Sequence, residues 1–265
     1  MADKKIIILV IAFKAQKTIR EVLDRISKEM WDKASEVLVI DDASPNPDTT
    51  YKIALNYKKT HNLEKLSVQK NTYNQGYGGN QKIGFNYALS KGYDIVAVLH
   101  GDGQYDPSLL KIFIPMINEN YSIINGYRDK RTYPHREETP VITYCIIKIL
   151  SWFESLITGY YQKEWHSGFV MYDTEFLRKI PLQFLSDTRH IDGEFLICAG
   201  ILKENTKSLP IFKNYNGYES LTGLARVRHV VNVIRIILKF RRKYYHALLK
   251  NKNHDKINFK FDIIA

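Results

Sequence analysis

The chain has 265 residues, 45% of them hydrophobic and 25% charged, a balance that excludes a disordered chain and fits one large α/β domain with an appendage, or two small ones. A formal net charge of +11 draws the protein toward nucleic acid, anionic membrane surfaces or phosphate-bearing substrates; no nucleic-acid motif accompanies the charge, so nucleic acid is not an expected partner. The two cysteines, Cys145 and Cys198, are far apart and lack a CxxC companion, which excludes a redox or metal pair, predicts two buried thiols and suits a reducing cytoplasm.

In chain order, Ile6 to Phe13 is a continuous apolar run, as expected for a strand buried on both faces of a parallel sheet. Residues 18–30 carry Ile19, Val22, Leu23 and Ile26 at helical spacing. A second strand over 36–40 ends at Asp41-Asp42-Ala43-Ser44-Pro45, and Pro47 with Asp48 suits the first turn of a helix through Ile53, Ala54 and Tyr57. A third strand covers 66–69. The loop from Gly76 to Gly79 then leads into a helix stopped by Gly92. Residues 94–99 predict a fourth strand, 107–118 a helix and 121–125 a fifth strand. This βαβα alternation implies a mostly parallel sheet with helices on both faces, and ligands in such sheets sit at the carboxyl ends of the strands. Beyond it the pattern predicts a helix over 140–158, a strand over 169–172, a helix over 193–202, a short strand over 208–212 and one long helix over 227–249.

The unusual polar clusters fall at strand ends. Asp102 and Gln104 sit in a turn made by Gly101 and Gly103, before Pro107. Oxygen ligands two residues apart in a glycine turn can face one hard cation, Mg²⁺ or Mn²⁺; the plain alternative is that Asp102 and Asp106 cap a turn and a helix. Asp41 and Asp42 either accept from a nucleobase or ribose or form a turn. Asn74, Gly76 and Gly79 offer backbone amides near a helix start, a site for phosphate, yet lack the Walker and dinucleotide spacings.

Taken together and in this order, these pieces resemble glycosyltransferase family 2, and within it the branch that transfers sugars to polyprenyl phosphates. Val10 to Ile19 is similar to the family's strand-to-helix turn "IPAYNEEKTI", Val39 to Ser44 to "VDDGS", Asn74 to Gly79 to "NxGxGxA", and Leu99 to Pro107 to "DADxQHxP". Asn125 to Arg128 matches "GSR", and Glu164 to Phe169 matches "DPxSGF". The resemblance implies a GT-A (Rossmann-like) α/β fold, a nucleotide-sugar donor and a metal-dependent transfer with inversion. It implies donor contacts from Ala12, Phe13, Asp41, Asp42, Asn74, Gly76, Gly79, Gly101 and Asp102, and a metal on Asp102 and Gln104. His100 stands where the family has its first metal-segment Asp, and Lys14 and Ala15 where Asn and Glu are common. Arg128, Arg131, His166 and Ser167 are candidates for acceptor phosphate. Should the acceptor be a saccharide hydroxyl, a carboxylate must take its proton, and Glu164 and Asp192, with Glu194, are the candidates.

Domain organisation follows: a catalytic domain over 1–225 and a basic helical extension over 226–265. No run reaches the roughly 18 apolar residues of a membrane span, and the helix over 140–158 is expected to be a core helix. Between Arg226 and Lys256 there are ten Lys or Arg and one acid, Asp255. With Val230, Val231, Ile234, Ile237 and Leu238 on a stripe, this segment predicts a helix that binds an anionic membrane surface. The expected location is peripheral, on the inner, cytoplasmic face of the cytoplasmic membrane, with a lipid phosphate or a saccharide as acceptor.

Overall fold

The computed structural model describes residues 4–215, 223–251 and 263–264. β1 (Ile6–Ala12) is buried along its whole length. It is followed by α1 (Ile19–Asp24) and α2 (Lys28–Lys33), so the single helix expected over 18–30 is divided, with Ser27 capping the second piece through Met30 N. Next come β2 (Ala34–Asp41), α3 (Thr50–Thr60), β3 (Leu66–Asn71), α4 (Gly76–Lys91) and β4 (Ile95–His100). α3 opens three residues after Pro47, where Asp48 accepts from the amide and hydroxyl of Thr50.

Asp106 caps a 3-10 turn at Pro107–Leu109. Only α5 (Leu110–Phe113) is α-helical there, before a second 3-10 stretch, in place of the continuous helix expected over 107–118. β5 (Ile123–Arg128), α6 (Val141–Thr158), β6 (Val170–Asp173), α7 (Thr174–Arg178), α8 (Ile191–Leu202) and β7 (Thr206–Ile211) complete the central part. The predicted long C-terminal helix is two, α9 (Gly223–Arg241) and α10 (Tyr244–Lys250), broken where Lys243 takes a left-handed φ of 57°. β8 is Ile263–Ile264.

The sheet order is β7-β5-β6-β4-β1-β2-β3-β8. β4, β1, β2 and β3 run parallel, and β5 runs parallel to β7. β6 lies antiparallel between β4 and β5, joining the two parallel groups. Alternation in the buried strands feeds two cores: Ile6, Ile8, Val10 and Ala12 pack beneath α1 and α3, while Ile7, Leu9 and Ile11 pack with residues of α4, α7 and α8. α9 and α10 belong to that second core through Ile236 and Tyr245, and Tyr245 donates to Glu194 at 2.6 Å.

Two expectations fail on the second half. α6 is not a core helix: Ile142, Ile149, Trp152 and Leu156 are each more than 60% exposed, and the buried residues are Ser151, Glu154 and Thr158. The stripe is real, but the polar side faces the protein, because it carries hydrogen-bond partners the interior needs. By length and composition α6, at 18 residues with a mean hydropathy of 1.5, is also apolar enough to cross a membrane. Cys145, on this helix, is therefore exposed, while Cys198 is buried as expected.

Candidate active site

Strand register sets the site. Ala12 pairs with Asp41 and Ile11 with His100, so β2, β1 and β4 deliver their carboxyl ends side by side. β6 runs the other way, with Val170 opposite both Val98 and Asn125. The segment 164–169 that precedes it therefore arrives at the same edge as Asp102 and Arg128. Gly101 is required by this closeness: a Cβ there would lie 2.8 Å from that of Ala12.

At the first two strand ends the chain turns sharply, with Lys14 and Ala43 both at φ 53°, a left-handed conformation that costs a non-glycine residue about 1–2 kcal/mol. Hydrogen bonds hold it: Lys14 N donates to Ser44 Oγ, and Ser44 N and Oγ to Asp41 Oδ1. Asp41 Oδ2 is buried without a hydrogen-bond partner among the described residues, with Lys70 Nζ at 3.9 Å. Asp42 is spent on the protein, accepting from Asn71 Nδ2 and Gln75 N, both at 2.8 Å. Burial raises the pKa of both carboxyls. Phe13 is 44% exposed at the end of β1, open to a stacking partner. Asp41→Asn keeps the oxygen that serves Ser44 and turns the other into a donor. It is expected to weaken UDP or GDP binding by about 1–3 kcal/mol, the cost of an unmatched buried polar group. Calorimetric titration checks this, and unchanged affinity for both nucleotides would reduce the strand end to a turn.

The glycine loop is built into the start of a helix. Its glycines already form the first turn of α4, Gly78 N donates to Asp187 O at 2.9 Å, and a Cβ on Gly78 would lie 2.6 Å from Ser186 O. Gly78 thus lets the helix start pack against residues 186–187, and its amide is not offered to a ligand. Asn74 remains exposed; it caps Gly76 N and donates to Asp42 O.

At the end of β4, Asp102 is half-buried and its Oδ1 accepts from Gln104 N at 3.0 Å, with Gln104 only 6% exposed. A carboxylate and an amide oxygen on one tight turn, with Gly103 at φ 74°, are an oxygen donor set that suits a hard divalent cation. Asp106 is set apart from them, bonded to Ser108 N and Arg136. His100 is committed elsewhere. Its Nε2 meets Tyr77 OH at 3.1 Å, and Tyr77 donates to Asp192 Oδ2 at 2.9 Å. Burial pushes the His100 pKa down to about 4, so the imidazole is neutral at neutral pH. Gly168 makes room for this pair, since a Cβ there would lie 2.5 Å from both the His100 ring and Tyr77 OH.

On the other side, Arg128 and Glu164 form a buried pair, 3% and 0% exposed. Arg128 Nε donates to Oε1 at 2.8 Å, its backbone N to Oε2 at 2.8 Å, and a second guanidinium nitrogen reaches Oε1 at 2.5 Å. Burial alone would raise the Glu164 pKa; Arg128 overrides it and holds it below the ordinary value. Neither group is thus presented as an open phosphate clamp or a poised base. Asp192, candidate for the same base, is 5% exposed and accepts from Tyr77, Tyr172 and Gln81. Arg131 is exposed on the loop after β5. Ser167 is buried, its Oγ accepting from Phe169 N at 3.3 Å. His166 turns away from an acceptor role, with Nε2 2.8 Å from Glu154 and Nδ1 3.1 Å from His229 Nε2.

Sequence reasoning missed Tyr77, which links His100 to Asp192, and Lys213. Tyr77 lies inside the glycine loop and carries no signal of its own. The segment of Lys213 follows β7 and bridges to Tyr105, bringing the Lys213 charge within reach of Asp102 and Glu164. Burial, then Arg128, lowers the Lys213 pKa to about 8. Residues 215–220 resemble the family's "GESK"-like loop only loosely, and 216–222 lie outside the described residues.

The chain is 28% identical over 235 residues to UDP-N-acetylglucosamine–dolichyl-phosphate N-acetylglucosaminyltransferase of Methanococcus voltae, covering 84% of this chain and 91% of that protein. It is 30% identical over 96 residues to undecaprenyl-phosphate mannosyltransferase of Micrococcus luteus, covering 36% of this chain and 37% of that one. Its fold matches glucosyl-3-phosphoglycerate synthase of Mycobacterium tuberculosis, solved with Mn²⁺, UDP and glucosyl-3-phosphoglycerate, at TM-score 0.64 and 13% identity, over 90% of this chain and 80% of that one. That likeness makes the fold GT-A. Residues 7–185 match the model of the family described as glycosyl transferase family 2, and the chain is a glycosyltransferase that belongs to this family.

Proposed function

We propose that this glycosyltransferase moves a sugar from a UDP- or GDP-sugar to a polyprenyl phosphate at an anionic membrane surface, by direct displacement with inversion. Asp41 and Phe13 hold the nucleoside, and Asp102 with Gln104 holds Mg²⁺ or Mn²⁺. Such a cation, when bound, neutralises charge that develops on the leaving diphosphate. Lys213 adds a positive charge beside it. A lipid phosphate is already an anion at neutral pH, so the acceptor needs no strong base, which accords with carboxylates at Glu164 and Asp192 that are wholly engaged by protein donors.

The observation that carries the membrane reading is the reversed helix α6. Its apolar face, with Val141, Ile142, Ile149, Trp152 and Leu156, points outward. α9 packs against α6 and exposes Val227, Val231, Ile234 and Leu238 beside Arg228, Arg235, Lys239 and Arg241. An apolar band edged by cations suits a helix lying in the headgroup plane. The buried polar side of α6 ties it to the domain, and favours lying on the membrane over crossing it. Each basic residue near an anionic surface contributes about 1 kcal/mol, and each apolar side chain that leaves water about 1.5–3 kcal/mol.

Ile142→Glu/Ile149→Glu tests this without touching the core. Sedimentation with vesicles containing phosphatidylserine is expected to show at least a hundredfold weaker partition than the wild type, and salt is expected to release part of the wild-type binding. Equal pelleting of both proteins would remove α6 from the interface. A donor screen against polyprenyl phosphate and simple saccharides decides the acceptor, with transfer to the saccharide alone overturning the lipid assignment.

A further inference from the structure

Behind the membrane-facing helices lies a group of side chains that the transfer reaction does not use. His166, from the loop before β6, His190, at the start of α8, and His229, on α9, each bring one ring nitrogen within 4.8 Å of the other two. Glu154, from the buried side of α6, reaches His190 Nε2 at 2.6 Å and His166 Nε2 at 2.8 Å. His166 Nδ1 faces His229 Nε2 at 3.1 Å. The rings of His166 and His190 stack at 4.8 Å, and that of His229 stands edge-on to both.

As a hydrogen-bond network this group is incomplete. Glu154 Oε2 and His166 Nε2 face each other at 2.8 Å, while His190 Nδ1 and His229 Nδ1 are buried without an aligned partner among the described residues. Two unpartnered ring nitrogens in one buried cluster are a load on the fold, since an unsatisfied buried polar group is destabilising. Three imidazoles beside one carboxylate are also the donors that first-row transition ions prefer. Ligating histidines commonly give their other ring nitrogen to a carboxylate, which fixes tautomer and orientation. Glu154 stands in that position to two of them.

We propose that His166, His190 and His229 bind a transition-metal ion, Zn²⁺ foremost, with Glu154 orienting His166 and His190 from outside the ligand set. Its ligand nitrogens are His166 Nδ1, His229 Nε2 and the nitrogen of His190 not taken by Glu154. Tetrahedral Zn²⁺ places its nitrogens about 3.3 Å apart, so on binding the nitrogens, now within 4.8 Å of one another, draw together and the stacked His166 and His190 rings swing out of parallel. The site is distinct from the oxygen donors Asp102 and Gln104 and prefers a different metal. It would join α6, the loop before β6, α8 and α9, fastening the membrane-facing helices to the catalytic domain.

The test uses full-length protein stripped by a chelator and titrated with Zn²⁺ or Co²⁺. The expected results are one tightly bound equivalent by elemental analysis, the intense visible bands of tetrahedral Co²⁺, and a higher melting temperature with Zn²⁺. His229→Gln and the double variant His166→Gln/His229→Gln are expected to bind at least tenfold more weakly, and Glu154→Gln about 10–100-fold more weakly. Asp102→Asn is expected to keep the site intact. Because His229 is only half-buried, its single variant serves if the double variant does not fold. Absence of stoichiometric uptake, uptake unchanged in His229→Gln and Glu154→Gln, or cobalt bands lost only in Asp102→Asn would each overturn the proposal.

Discussion

Asp102→Ala is expected to abolish transfer while the protein stays folded. The carboxylate is half-buried at a strand end, and among the described residues its hydrogen bond is the 3.0 Å one from Gln104 N, worth about 1 kcal/mol. Its proposed chemical duty is larger: a cation on a leaving diphosphate contributes several kcal/mol to the transition state, so turnover is expected to fall roughly 10³-fold or more. Asp102→Asn separates the two duties, because the amide still accepts from Gln104 N but carries no charge. It is expected to melt like the wild type, to lose turnover almost as completely, and to bind UDP equally with and without Mn²⁺. Near-normal turnover in either folded variant would sink the assignment of metal to this strand end.

Glu164→Gln is expected to act chiefly on stability. Breaking a buried ion pair from one side leaves the other charge uncompensated, at about 3–5 kcal/mol. Gln retains one acceptor, so the lower end applies: about 3 kcal/mol, or roughly 6–12 °C in melting temperature for a chain of this size. Arg128→Met/Glu164→Leu removes both charges and is expected to be less destabilised than Glu164→Gln. Activity measured well below the melting temperature then distinguishes the roles. Substantial turnover in Glu164→Gln assigns the pair to holding β5 and the segment 164–169 together. A variant that melts like the wild type yet has lost transfer would make Glu164 a chemical participant.

Much of the parallel half was legible because strands buried on both faces must be apolar throughout. Val37 to Ile40 and Val96 to Leu99 can hardly be read otherwise. The polar residues ending those runs could be placed without coordinates, since a parallel sheet fixes where its carboxyl ends meet. β6 was read as a strand, but its antiparallel insertion between β4 and β5 was not legible in four residues. α6 shows a different limit: periodicity reveals that a helix has two faces, not which one turns inward. Ser151 and Glu154 face the protein because Trp165 N and two imidazoles need them as acceptors, partners far off in sequence. The histidine cluster is scattered over 154–229 for the same reason. The Arg128–Glu164 pair shows that both motif residues were found and only their mutual contact was hidden.

The central position of β6 also has a consequence for synthesis. β4 is made early and can pair with β1 at once, but its other edge, Ile95 to Val98, has no partner until Asp173 has been made. At ribosomal speeds of about 5–20 residues per second, those roughly 75 intervening residues take about 4–15 s. For that interval the nascent chain presents an apolar, unpaired strand edge of the kind that invites pairing with other chains. The outward apolar face of α6 emerges within the same interval. Recovery of intact protein is therefore expected to depend on chaperone supply and translation rate before any stability of the finished fold comes into play.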